Sequence, residues 1–433
     1  MEHRAVAADE LASWVVDAAE RAQQLVNDLT DEQLVGPLLP EVNPLIWEIG
    51  HIAWFQELFV LRRACGYEPI LPHTDAIYDS GAIPHDTRWY LALPPREDTV
   101  SYMRTVAERV AHEVTAGTAN DVVRHFARYT VHHHDTHTEA FTYTRQTLGL
   151  PAPALPGLTD SGATFGSDGT PEGKDVSFEG GRFPLGAYRA DPFVYDNEKW
   201  AHPVDVGPFA MASTPVTQGE FAEFVDDGGY TTLHLWSDGG AWLAATGARH
   251  PVYWRRGPDG GWQRRHFDTW VALEPDLPVS HISWWEADAY CRWAGRRLPT
   301  EAEWEFAATA GRRDKPTYPW GSRLPEPEHA ATDWRSLGPV PVTACAAGDS
   351  PDGCRQLIGN VWEWTASDFS GYPNFERDAY GDNSEQFFGH RKVLRGGGWP
   401  TRGRYIRATL RNYFTPDRRD VLAGFRTCPV TTP

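Results

Sequence analysis

Apolar residues recur every three to four positions through most of the first 150 residues, the spacing of helices that each bury one face. Leu11, Trp14, Val15, Ala18, Ala22, Leu25, Val26 and Leu29 form the first such stripe. A second helix is predicted to begin after Pro44, whose ring suits a first turn, and to run through Trp47, His51, Phe55 and Phe59 to about residue 63. A third is predicted over residues 96–116 and a fourth over 120–148. Four helices of this kind make a bundle, here residues 1–150.

The pattern then breaks. Residues 151–175 turn to Pro, Gly, Ser, Thr and Asp, including PAPALPG and GSDGTPEG, which is the composition of a linker. From 176 to 433, helical periodicity survives mainly at 218–225, 284–294 and 300–308. The rest is short apolar pieces divided by Gly, Pro, Asp and Asn, with many Trp and Tyr. This predicts a loop-rich domain held by aromatic packing, and an α+β class for the chain.

Composition narrows the function. The 40 Lys and Arg against 59 Asp and Glu give a net charge of −19, which repels nucleic acid and anionic membrane rather than gathering them. No basic-then-apolar leader and no membrane-length apolar run is present, so a cytoplasmic protein is expected. Five scattered cysteines, Cys65, Cys291, Cys345, Cys354 and Cys428, form neither CxxC pairs nor a disulfide framework, which fits a reducing compartment.

The fourth helix carries the candidate chemistry. Its inward stripe reads Phe126, Tyr129, His133, His137, Ala140, Phe141 and Thr144. Two imidazoles four apart on one face can chelate a single ion. On the second helix, His51 shares a face with Phe55 and Leu58, where an uncompensated imidazole is costly. Spacing alone leaves Zn and Fe both open, along with a two-histidine site completed by Glu48, Asp135 or Glu139. The bland alternatives are a hydrogen-bonded core histidine at 51 and a solvated patch at His132-His133-His134.

The segments WEIGHIAWFQELFVLRR (47–63) and HHHDTHTEAFTYTRQTLG (132–149) resemble the DinB-like bundle of the ergothioneine-pathway sulfoxide synthases. In the second domain, STPVTQGEFAEFV (213–225), PVSHISWWEADAYCRWAGRRLPTEAEWEFAA (278–308), YPWG (318–321), GNVWEWT (359–365), VLRGGGW (393–399) and GFR (424–426) resemble the formylglycine-generating-enzyme-like fold, a C-type lectin variant. Gly396, Gly397, Trp362 and Trp364 within them read as turn and core residues. The resemblance implies Fe(II) on His51, His133 and His137. It further implies O2 as co-substrate and C–S or C–Se bond formation on the imidazole of hercynine (histidine betaine). It places Asn412, Tyr413 and Phe414 in a substrate-contacting loop, where aromatic faces suit a trimethylammonium group.

Two rival functions come from the second domain alone. A copper-dependent formylglycine-generating oxidase resembles a fold with cysteines soon after the RGG strand, where GWPTRGRYIRATLRN here has none. A non-catalytic lectin-like binding module would leave the three histidines unexplained. Within the favoured family, three departures matter, two for the second substrate and one for the proton donor. Phe414 stands where relatives using γ-glutamylcysteine carry Asp, and His85 with Arg88 stand where they offer two arginines. Asn383 takes the place of a catalytic Tyr, with Tyr380 nearby as the candidate proton donor. The segments 76–94 and 143–149 look most like selenoneine synthases, whose neutral selenosugar needs no carboxylate clamp. A hercynine sulfoxide synthase using γ-glutamylcysteine or cysteine is the alternative.

Overall fold

The N-terminal apolar stripes fold as the helices they predict. In the computed structural model they are α1 (Ala8–Gln24), α3 (Leu45–Gln56), α5 (Arg96–Thr115) and α6 (Asp121–Leu148), joined by a short α2 (Asp31–Val35) and a one-turn α4 (Asp75–Tyr78). The structure describes residues 6–117, 119–156, 165, 174–236, 238–381 and 384–430. The chain divides into a unit of residues 1–156 and a unit of residues 157–433. Of the expected linker, residues 157–164 and 166–173 lie outside the described residues. In the first unit, α1 and α3 each pack on α5 and α6. α1 ends earlier than its stripe, yet Leu25, Val26 and Leu29 remain buried in the turns that follow.

α3 lies at the centre of this bundle, with every one of its residues buried. A helix buried all round has no wet face, so Glu48, His51 and Gln56 must each find polar partners inside the protein. The helix does not continue regularly to residue 63 as predicted. From Glu57 to Ala64 it widens into a π-helix, closed by the bond from Cys65 N–H to the Val60 carbonyl. The widening coincides with fully buried Glu57, whose carboxylate accepts from the Tyr102 hydroxyl and the Ile70 N–H. α6 starts under the Asn120 side chain, which accepts from Val123 N–H, and stops at left-handed Gly149.

The second unit is short strands and turns around buried tryptophans. Its strands are β1 (Asp175–Phe178), β2 (Gly181–Leu185), β3 (His202–Val206), β4 (Phe209–Ala212), β5 (Trp254–Arg256), β6 (Trp262–His266), β7 (Thr269–Ala272), β8 (Arg296–Arg297), β9 (Trp362–Asp368), β10 (Lys392–Arg395), β11 (Asn412–Phe414), β12 (Ala423–Gly424) and β13 (Cys428–Pro429). The largest sheet runs β11-β10-β9-β12, antiparallel except for the parallel β9–β12 pair. Its helices include α7 (Gln218–Asp226), α8 (Gly240–Thr246), α9 (Trp284–Trp293) and α10 (Glu301–Thr309). α7, α9 and α10 begin with capping boxes, Thr217 with Glu220, Ser283 with Glu286 and Thr300 with Glu303.

Trp304, Trp362 and Trp364 are buried in this core. Ion pairs are buried with them: Arg395 and Arg411 on Glu301, Arg395 and Lys315 on Glu305, and Arg426 on Glu363. At Gly396, with φ +94°, a Cβ would sit 2.6 Å from the Leu357 carbonyl oxygen, and at Gly397 it would sit 2.2 Å from Ile406 Cδ1. Both are backbone positions that only glycine fills without displacement.

Candidate metal centre

His51, His133 and His137 come together inside the first unit. Each offers a ring nitrogen within 4.8 Å of the others. Ring centroids are 5.1 Å apart for His51 and His133, 4.9 Å for His51 and His137, and 4.5 Å for His133 and His137. The i, i+4 spacing on α6 brings two rings together, and burial of α3 against α6 brings the third. His51 is 2% exposed, whereas His133 and His137 are half-buried. Their neighbours His132 and His134 are the deeply buried members of the run and point elsewhere, His134 toward the Thr130 carbonyl and His132 toward Asp135. A solvated patch is therefore not what the triple histidine forms.

Hydrogen bonds fix two of the three tautomers. His51 Nδ1–H donates to the Tyr78 carbonyl at 2.8 Å, which leaves the lone pair on Nε2. His137 Nδ1–H faces the Glu48 carboxylate at 3.4 Å, with the same consequence. His133 stacks on Phe55 at 3.7 Å, and its Nδ1 is buried with no hydrogen-bond partner among the described residues. Burial, then the neighbouring His137 ring, holds both the His51 and the His133 imidazole well below the ordinary range. Three clustered imidazoles, two of them with partners on Nδ1, suit a divalent first-row metal such as iron or zinc. Of the three carboxylates left open by spacing, Glu48 is engaged through both oxygens, by Asn43 and by His137 Nδ1, and Asp135 lies beside His132.

A second group, Glu326, Glu328 and His329, brings ligand atoms equally close. Its carboxylates are exposed, and the Arg323 guanidinium donates to His329 Nε2 at 3.3 Å, placing a positive charge where a cation would sit. It lacks the cluster of imidazoles and the buried or half-buried setting of every ligand that mark the three-histidine centre.

The remaining candidate residues fall into two groups. His85 and Arg88 lie on a 3-10 turn, His85–Tyr90, in the first unit. His85 Nε2 meets the Val42 carbonyl at 2.8 Å, and Arg88, 9% exposed, donates to Asn43 Oδ1 and to the Ser80 and Ile83 carbonyls. Asn412, Tyr413 and Phe414 belong to the second unit and form strand β11 rather than a loop, because they pair with Leu394, Val393 and Lys392 of β10. Tyr413 stacks on Phe369 at 3.9 Å, and burial pushes its phenol upward. Arg418 lies 5.0 Å over Phe414. Tyr380 is half-buried in a bend, and Asn383 lies outside the described residues. Sequence reasoning did not single out Asn43, which bonds Glu48 from just ahead of α3, Gly50, which admits a close approach, or Tyr78, whose carbonyl meets His51 from 27 residues away.

The cysteines give no soft metal site. All five are free, and burial pushes the thiols of Cys345, Cys354 and Cys428 up to about 12. No helix among the described residues is long and apolar enough to cross a membrane.

Comparison with known proteins matches both halves. Residues 15–146 match the DinB superfamily, and residues 163–429 match the sulfatase-modifying factor enzyme 1-like domain. The chain is 36% identical to the hercynine oxygenase of Mycolicibacterium thermoresistibile over 98% of its own length and 94% of that protein. It is likewise 36% identical to the hercynine oxygenase of Mycobacterium tuberculosis, over 96% and 98%. Similarity to the formylglycine-generating enzyme of Thermomonospora curvata, 32% identical, covers 58% of this chain and 91% of that one. Only the hercynine oxygenases among these extend over both units, and with that fusion of domains the chain belongs to the hercynine oxygenase family of oxidoreductases.

Proposed function

We propose that this protein is an iron(II)- and O2-dependent oxygenase that joins a chalcogen donor to the imidazole of hercynine. The observation that carries this reading is the cluster of three imidazoles in a chain similar over nearly its full length to hercynine oxygenases. Bound iron(II) would supply O2 activation coupled to formation of a C–Se or C–S bond. The protein's own part is to keep His51 and His133 neutral by burial, with their ring faces packed on Trp47 and Phe55, and to turn the Nδ1–H of His51 and His137 away from the metal. Asn412 and Tyr413 contact the betaine in this reading, the cation going to aromatic faces of the kind that Tyr413 and Phe387 already present to Arg391. Tyr380 supplies the proton.

For the donor we propose a selenosugar rather than γ-glutamylcysteine. In support, Phe414 offers no charge, and Arg88 directs its Nη donors at Asn43, Ser80 and Ile83, which leaves less for a dipeptide's carboxylates. The test is to load the protein anaerobically with iron(II), add hercynine and O2 with either donor, and identify products by mass. Selenoneine-type product from the selenosugar is expected. Turnover with the dipeptide alone would replace the donor, and O2 uptake unaffected by hercynine would sink the function.

A further inference from the structure

Arg88, Asn43, Glu48 and His137 form a continuous hydrogen-bonded chain. Arg88 Nη1 donates to Asn43 Oδ1 at 2.7 Å, Asn43 Nδ2 donates to Glu48 Oε1 at 2.7 Å, and Glu48 Oε2 faces His137 Nδ1 at 3.4 Å. Its direction is forced. A guanidinium only donates and a carboxylate only accepts, so the Asn43 amide has one orientation, and the imidazole must carry its proton on Nδ1. The same guanidinium lies 4.1 Å over the Trp47 ring, and Trp47 stacks on His51 at 4.9 Å with 9° between planes. Trp47 Nε1 is itself anchored on the Ile77 carbonyl at 2.6 Å, beside the Tyr78 carbonyl that holds His51. One arginine therefore reaches two of the three histidines by separate routes.

We propose that Arg88, Asn43 and Glu48 are positioning residues, a relay that fixes the tautomer of His137 and keeps the Glu48 carboxylate outside the metal's coordination sphere. This rests on the iron reading above. Glu48 is 3% exposed and needs a compensating charge. Arg88 supplies it one amide away, while Asn43 holds the Glu48 oxygen that would otherwise be free to turn toward the metal. Arg88 thus serves the centre from behind.

The test uses the full chain, stripped of metal and titrated with Co(II) against a chromophoric chelator, reading affinity and d–d absorption. His133→Ala should abolish the d–d band. Asn43→Ala and Glu48→Gln should each weaken Co(II) binding about 10- to 100-fold and alter the band. Glutamine in place of Glu48 satisfies the chain only if its amide donates to His137 Nδ1, which moves the imidazole proton to Nε2 and blocks the lone pair the metal needs. Arg88→Lys should fall between, keeping a single donor and the charge. A wild-type protein without the band, or His133→Ala retaining it, overturns the metal reading and the relay together. Loss in His133→Ala with unchanged affinity and spectrum in Asn43→Ala and Glu48→Gln overturns the relay alone. So does weaker binding that merely follows a lower unfolding temperature with an unaltered spectrum.

Discussion

Gly50 makes the space that the ring of Tyr78 fills: a Cβ built on Gly50 would lie 2.1 Å from Tyr78 Cε1 and Cζ. That close approach sets the Tyr78 carbonyl against His51 Nδ1. In an ordinary helix, glycine to alanine stabilises by about 1 kcal/mol. Here Gly50→Ala is expected to do the opposite, displacing Tyr78, lowering the unfolding temperature and weakening iron uptake several-fold. Thermal unfolding with iron titration checks it, and a stabilised variant with intact uptake would contradict the packing described.

The parts of the centre that were legible in the sequence are those set by local spacing. His133 and His137 share a helix, so a period of 3.6 residues brings them together. The partners of His51 and Glu48 do not follow from any period, because Tyr78 approaches His51 through its backbone carbonyl and Asn43 lies outside the helix, just before α3. Helical periodicity also does not reveal the π-helix at Glu57–Ala64, which coincides with a buried carboxylate whose partners come from other segments. The extended state of Asn412–Phe414 depends on β10, some twenty residues earlier. Capping boxes such as Thr217 with Glu220, by contrast, are visible as a Thr-x-x-Glu spacing.

Adjacent histidines on α6 should separate cleanly by substitution. His133→Ala removes a cluster nitrogen and is expected to abolish stoichiometric iron binding. His132→Asn alters a buried ring beside Asp135 and Trp14, so it should lower stability while leaving iron stoichiometry intact. Metal analysis of both purified variants, alongside their melting curves, distinguishes the two roles. Equal iron loss in both would mean that the triple histidine acts as one polar cluster.

Glu363 tests the buried charges of the second unit. It is 1% exposed and accepts from Arg426 Nε at 2.7 Å, Arg426 Nη2 at 2.6 Å and Trp304 Nε1 at 2.8 Å. Glu363→Ala leaves a buried guanidinium without its counter-charge and is expected to cost about 3–5 kcal/mol. Glu363→Gln keeps one acceptor and should cost less. Denaturant unfolding followed by tryptophan fluorescence measures both, and a loss below about 1 kcal/mol for the alanine variant would show that the pair is dispensable.

His281 gives the pH dependence its sign. Burial pushes its imidazole down to about 3, against the bond between Nδ1 and the Asp420 carbonyl, and the guanidinium groups of Arg265 and Arg264 lower it further. The unfolded chain takes up a proton near pH 6.5, whereas the folded one remains neutral. Between those values the unfolded state binds more protons, so acidification destabilises the fold, by at most about 1.4 kcal/mol per pH unit for this group. The stability is fully present above pH 6.5 and declines as pH falls toward 3. His281 also has φ +59°, a left-handed backbone that asparagine tolerates, and an asparagine amide can still donate to a carbonyl. His281→Asn should therefore match the wild type near pH 8 and lose less stability between pH 6.5 and 4. Unfolding midpoints of the two proteins measured in parallel across that range isolate the residue, because every other titrating group is shared. Parallel curves would mean that His281 does not charge on unfolding.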